Sequence, residues 1–217
     1  MITFYFAPDT CSLATMIAME EAGAPYRAIG LSFAVQEQRS ADYLAINPKG
    51  RVPALITERG ILTETPAMLA FVAQSYPAAQ LMPLDDPFVF AQVQAFNSFL
   101  CSTLHVAHAH RMRGYRWADD AAAIAAMQRK VPQSVGDGYA LIERHMFAGP
   151  WVMGERYTIC DPYLFTLAQW LEADGVDPAR APQVIAHRAR MLDRPAVQRA
   201  LAIEHAPQER FAATASA

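Results

Sequence analysis

Basic residues are missing from the start of this chain: residues 1 to 26 contain no lysine or arginine. A secretory leader with a basic n-region is therefore not expected there. No apolar run approaches the roughly 20 residues that a membrane-crossing helix needs, so no membrane partner is expected. An excess of one charge is also lacking. With 18 Lys and Arg against 21 Asp and Glu, the formal net charge is −3. No basic patch is large enough to act as a nucleic-acid surface. Cysteine is sparse and odd in number, and Cys11, Cys101 and Cys160 stand far apart. That is neither a disulfide framework nor a zinc site, and a reducing cytoplasm is the expected location. Apolar side chains, by contrast, are plentiful: 53% hydrophobic against 18% charged residues argues against disorder. A length of 217 residues allows one large domain or two small ones, each able to bury a core.

The order of elements divides the chain. Ile2–Phe6 reads as a buried strand, broken by Ala7-Pro8-Asp9-Thr10, and a helix follows with a stop at Gly23. Tyr26–Leu31 reads as a second strand and Gln36–Ile46 as a weaker helix. Ala54–Thr57 and Ile61–Thr63 flank a hairpin signal, and Pro66–Tyr76 forms a further helix. The order is βαβαββα over residues 1–78, followed by a proline-marked linker at 79–86. Beyond it the spacing predicts only helices, over 87–205. Pro132 and the pair Gly136/Gly138 predict a break or kink. Thr158-Ile159-Cys160-Asp161 has capping-box spacing, with Asp in place of Glu or Gln. Residues 206–217 read as a frayed tail.

Chemistry concentrates first at Asn47-Pro48-Lys49-Gly50-Arg51-Val52-Pro53, a turn that leads into Ala54-Leu55-Ile56. Were the Val52–Pro53 bond cis, the backbone of Val52 would turn outward and pair with an extended peptide as an added strand. Thr65-Pro66 reads as a helix start with Thr65 as N-cap, and backbone donors at such a terminus suit a ligand carboxylate. Glu64, just before it, suits a ligand ammonium. The same residues also fit a plain strand–turn–helix connection that binds nothing.

With these segments in hand, the chain resembles the cytosolic glutathione transferases over nearly its whole length, and within them the bacterial beta class. The segments that carry the resemblance are Ala7-Pro8-Asp9-Thr10-Cys11-Ser12-Leu13-Ala14, Asn47 to Leu55, Phe99 to His105, Thr158 to Asp161 with Tyr163-Leu164-Phe165, and Arg194 to Leu201. The resemblance implies a thioredoxin-like N-terminal domain that binds glutathione as co-substrate. It also implies an all-α C-terminal domain with the electrophile site and dimer contacts, and a homodimer. By the same resemblance Val52 and Pro53 present the backbone that pairs with the cysteinyl unit. Glu64 and Thr65 hold the γ-glutamyl end, Cys11 faces the glutathione sulfur, and His105 approaches the same place.

The residues themselves bear on these roles. Cys11 falls at the expected start of the first helix, where backbone donors and the dipole favour a thiolate. The segment Cys11-Ser12-Leu13-Ala14 has alanine where a dithiol motif would carry its second cysteine, so an internal disulfide cycle is not expected. Cys11 can form a mixed disulfide with glutathione, donate to its thiolate, or simply pack as a small apolar residue. Ser12 is a rival donor and equally a helix-cap residue. Ser98, Ser102 and His105 fall at i, i+4 and i+7, a polar stripe suited to a wet cleft, where a neutral imidazole accepts a proton or donates to a thiolate. His108 and His110 stand close by, but no carboxylate or cysteine joins them at ligand spacing, and no metal is expected.

Three departures from the family pattern stand out. The tyrosine usual five residues before the cysteine is Phe6, with Tyr5 one step away on the opposite strand face. The lysine usual after the second strand is absent from Ala34-Val35-Gln36, with Arg39 as a candidate substitute. An asparagine seven residues before the histidine is Ser98. The expected activity is conjugation of the glutathione thiolate to a hydrophobic electrophile, with Phe99, Tyr115 and Trp117 as candidate walls of an acceptor pocket between the domains. Two alternatives stay open: a thiol transferase or reductase using Cys11, and a non-catalytic protein that binds a ligand or another protein.

Overall fold

The short apolar, aromatic-rich run Ile2–Phe6 makes β1, a central strand of a four-stranded sheet in the computed structural model, which describes residues 1–206 and Phe211. The sheet order is β2-β1-β3-β4, with β2 spanning Tyr26–Gly30, β3 Ala54–Thr57 and β4 Gly60–Thr63. β1 runs parallel to β2 and antiparallel to β3, pairing Tyr5 with Ala54, and β4 closes a hairpin on β3. Helix α1 (Ser12–Ala22) ends at Gly23, whose φ of 62° supplies the left-handed stop. The weak helix expected over Gln36–Ile46 is two pieces: a 3₁₀ turn at Glu37–Arg39 and helix α2, Ala41–Ile46. Ser40 separates them, because its hydroxyl accepts the Tyr43 N–H and begins a new helix. Helix α3 is Thr65–Ser75. This is a thioredoxin-like sheet with helices.

Contacts divide the chain into two units: residues 1–84 with 192–217, and residues 85–191. Helix α9 (Pro195–His205), which the sequence reading places in the helical domain, groups with the first unit. It packs along α1, with Arg194 on Glu21 and Arg199 on Glu20. Alternation decides the two faces of β1. Phe4 and Phe6 pack on one side, and Tyr5 joins Ile29, Leu31, Tyr43, Ala54 and Phe211 on the other. Phe211 corrects part of the expected frayed tail: its ring is buried 5.8 Å from that of Tyr5 and 5.7 Å from that of Tyr43. The rest of that tail, apart from Ala206, lies outside the described residues.

The second unit is helical throughout its regular elements. Asp86 caps α4 (Pro87–Phe99) by accepting the N–H groups of Phe88 and Val89. A π-helical turn over Leu100–Leu104 leads into α5, His105–Arg113. Helix α6 (Ala121–Leu141) runs on through Pro132 and both glycines, so the expected break does not occur. The glycines serve close approach instead. A Cβ on Gly136 would meet Arg180 Nη1 at 2.7 Å, and one on Gly138 would meet Leu104 Cδ1 at 2.8 Å. Helices α7 (Cys160–Ala168) and α8 (Pro182–Leu192) complete the unit.

Candidate functional site

Cys11 is partly exposed and stands at the N-cap of α1. The turn before it is built by Thr10 and Asp9. The Thr10 hydroxyl donates to the Ala7 carbonyl at 2.8 Å and accepts the Ser12 N–H at 3.3 Å, which satisfies the first free N–H of the helix. Ser12 is fully buried, its hydroxyl 2.8 Å from that of Thr10. Asp9 has a φ of 58°, and its N–H donates to Glu204 of α9 at 3.2 Å. The sulfur of Cys11 lies 3.8 Å from the Val52 carbonyl oxygen, so two residues far apart in sequence meet here.

The loop that carries Val52 is anchored from within. The Arg51 carbonyl accepts from the Tyr43 hydroxyl at 2.8 Å and from the Asn47 side-chain amide at 2.6 Å. Asn47 is itself buried and also accepts the Lys49 N–H. Burial raises the Tyr43 hydroxyl far above the ordinary tyrosine range, so it stays a donor at any working pH. The Val52–Pro53 peptide is cis, and Pro53 is buried at the foot of β3. Gly50 has a φ of 57°, and a Cβ there would lie 2.8 Å from Arg39 Nη1. Glycine thus lets the exposed Arg39 guanidinium lie along this loop.

At the third corner the structure revises the cap. Glu64, with φ 74° and ψ 120°, is the N-cap of α3, and no side chain caps it. Thr65 is already helical and is buried, which moves Pro66 one place further in than expected. A non-glycine residue in this region of backbone space is strained, and such strain gathers at ligand-binding positions. Pro66 has no N–H, so Thr65 and Ala67 are left to present first-turn donors. The Glu64 carboxylate is exposed and pairs with the Lys49 ammonium, which also donates to the Thr63 hydroxyl.

The remaining expected residues lie in the second unit. Ser98 and Ser102 are exposed, and the Ser102 hydroxyl donates to the Ser98 carbonyl at 2.8 Å. His105 opens α5 with its ring 5.3 Å from that of Trp170. His108 is held by Asp174 at 2.8 Å, and His110 packs edge-on against Trp117. His105 and His108 thus share Trp170 as a ring neighbour, while His110 packs elsewhere. Phe99 is half-buried, whereas Tyr115 and Trp117 are exposed.

Among the described residues one group brings metal-type ligand atoms within 4.8 Å of one another: Asp9, Glu204 and His205. No helix among them is long and apolar enough to cross a membrane. A cavity of about 530 Å³ opens in the first unit, lined by residues 7–8, 30–35 and Glu37. Glu37 is the one charged residue of that lining, and its carboxylate accepts the Ser32 N–H at 2.7 Å. Tyr5 is buried in the core with its ring against Tyr43, in a cluster on which Val52 also packs. Sequence reasoning missed Thr10, Tyr43 and Glu204. Thr10, two residues before the first helical residue, carried a cap signal; Tyr43 and Glu204 act through contacts that no local pattern announces.

The family profile of the glutathione S-transferase N-terminal domain matches residues 1–74. Glutathione S-transferase GstA of Escherichia coli is 31% identical over 203 residues, covering 92% of this chain and 97% of that protein. A maleylacetoacetate isomerase of Pseudomonas aeruginosa is 27% identical over 181 residues, covering 81% and 82% of the two chains. The crystal structure of a glutathione transferase homologue from Sulfitobacter, with bound glutathione, is 46% identical with a TM-score of 0.89, covering 92% of this chain and 96% of that one.

Proposed function

The chain belongs to the glutathione S-transferase family, and from that premise we propose that it binds glutathione in its first unit and transfers the thiolate to an apolar electrophile. The observation that carries the reading is the meeting of Cys11 with the Val52 carbonyl, on a loop whose Lys49 pairs with Glu64 at the uncapped start of α3. In this reading the Val52 backbone pairs with the cysteinyl unit as an added strand. The Thr65 and Ala67 donors receive the γ-glutamyl carboxylate, and Glu64 receives its ammonium by exchanging Lys49 for the ligand. Arg39, lying along the Asn47–Arg51 loop, takes the glycine carboxylate that the absent lysine would hold.

Cys11 would donate a hydrogen bond to the ligand sulfur and so favour its thiolate, the form that attacks. The thiol gives up its proton, a sulfur–carbon bond forms, and the leaving group departs with its electron pair. Ser12 would act through Thr10, keeping the helix start in place. Ser98, Ser102 and His105 remain the proposed contribution of the second unit, with His105 as proton acceptor. The apolar cavity, with only Glu37 charged in its lining, favours a neutral acceptor over a dicarboxylate. A beta-class homodimer in the cytoplasm completes the reading.

A second reading, thiol transfer through a Cys11–glutathione mixed disulfide, is favoured by the exposure of Cys11 at a helix start. Calorimetric titration with reduced glutathione tests the shared part. Binding between about 1 μM and 1 mM, lost in Glu64→Ala, supports the site. No heat in several buffers, with a second binding assay agreeing, would move the chain to a protein that binds something else. Turnover then separates the two chemistries: Cys11→Ser abolishes thiol transfer but only slows conjugation to a neutral aromatic halide.

A further inference from the structure

Glu204 near the end of α9 is a carboxylate only 2% exposed. Its Oε1 accepts the Asp9 N–H at 3.2 Å, and its Oε2 lies 3.7 Å from Nε2 of the exposed His205. Helix α1, on which α9 packs, has only Glu20 and Glu21 as titratable groups, and these pair with Arg199 and Arg194. Burial first, then the Asp9 carboxylate, push the Glu204 carboxyl up to about 7. Placing a carboxylate there is unfavourable, and its hydrogen bond goes to a residue with the unusual φ of 58°. Two residues later comes Cys11.

We propose that Glu204 is a positioning residue for Cys11: by accepting the Asp9 N–H it holds the left-handed turn that sets the sulfur at the start of α1. The proposal rests on the reading that Cys11 meets the ligand sulfur, but its test needs no ligand. Side-chain atoms alone do not fix a turn whose central residue disfavours its own backbone angles; an acceptor for its N–H does. Glu204 thereby ties a helix from the far end of the chain to the reacting corner.

The test follows alkylation of Cys11 by iodoacetamide against pH in the full chain carrying Cys101→Ser, with Cys160 fully buried. A helix terminus favours a thiolate only when the sulfur sits on it. Glu204→Ala should therefore raise the pH midpoint by about half to one unit, a three- to tenfold loss of thiolate near neutral pH. Glu204→Gln keeps the acceptor and should leave the midpoint within about 0.2 unit. Asp9→Gly, added to Glu204→Ala, should restore the midpoint, because glycine adopts positive φ freely. If Ala and Gln both lower the midpoint, Glu204 acts through its charge and the proposal falls; unchanged midpoints overturn it equally. Should Glu204→Ala not fold, Asp9→Ala strains the same turn from its exposed side and must raise the midpoint. Glutathione titration of the unmutated chain, run in parallel, decides the binding reading separately.

Discussion

Two of the helix starts that carry a carboxylate, those of α7 and α3, are built in opposite ways. At α7, Asp161 is fully buried and accepts the N–H groups of Val152 and Thr158 at 2.9 and 2.7 Å, with His187 Nε2 at 3.0 Å. Every direction around that carboxylate is filled by the protein. At α3, Glu64 is exposed, sits in a strained backbone region, and has an exposed lysine as its partner. One terminus is finished from inside; the other is left for something to finish it. On the proposed function, the difference separates a carboxylate that serves stability from one that would serve binding, a distinction that residue type alone does not make. The start of α1 stands between them, open at Cys11 yet braced from behind by Glu204.

Breaking the closed end should have the largest effect. Asp161→Ala leaves several buried donors and a buried imidazole without their acceptor and should destabilise the second unit by about 3–5 kcal/mol. Denaturant unfolding that shows less than about 1 kcal/mol would put α7 in the same class as α3. At the open end, Glu64→Ala should leave the melting curve nearly unmoved and weaken glutathione binding by about 10- to 100-fold, the worth of a charge-assisted contact. A variant that melts early but binds normally would reverse the comparison.

The braced end has a pH signature. The Glu204 carboxyl rises from its ordinary value of 4.5 to about 7, so the folded protein holds a proton that the unfolded chain has released. Stability from this group is therefore greatest below about pH 4.5 and falls as pH climbs to about 7. Glu204→Gln removes that loss and, allowing for partial solvation, should make the protein about 1–2 kcal/mol more stable at pH 8. Parallel melts at pH 5 and pH 8 check it; a variant less stable at both sinks the assignment. The smallest effect belongs to the Lys49–Glu64 pair, an exposed contact of about 0.2–1 kcal/mol. Lys49→Met should improve glutathione affinity by at most about fivefold, and a clear loss would make Lys49 a ligand contact in its own right.

Local patterns carried most of the architecture. Turn dipeptides, strand alternation and the Asp86 cap placed β1 to β4 and α4, and the step from Phe6 to Tyr5 placed that tyrosine on the strand face opposite Phe6. Where expectation failed, a contact between distant segments outweighed the local preference. Gly136 and Gly138 looked like helix breakers because glycine is a poor helix former, but Arg180 and Leu104 need the space. The stretch Gln36–Ile46 read as one weak helix, while a single serine hydroxyl divides it. At the candidate site Cys11, Val52 and Glu64 were legible from turns and helix starts. Tyr43 and Glu204 were not, since their value lies in which loop they reach.

Phe211 has a consequence for how the protein is made. Its ring rests on Tyr5 and Tyr43, and the Tyr43 hydroxyl holds the Arg51 carbonyl just ahead of Val52. During translation the ribosome delivers residues 1–84 first, yet α9 and Phe211 arrive only after the second unit has emerged. The earliest part of the chain to be synthesised is thus the last to be completed, and a nascent chain halted before residue 211 should expose an aromatic patch for chaperones to cover.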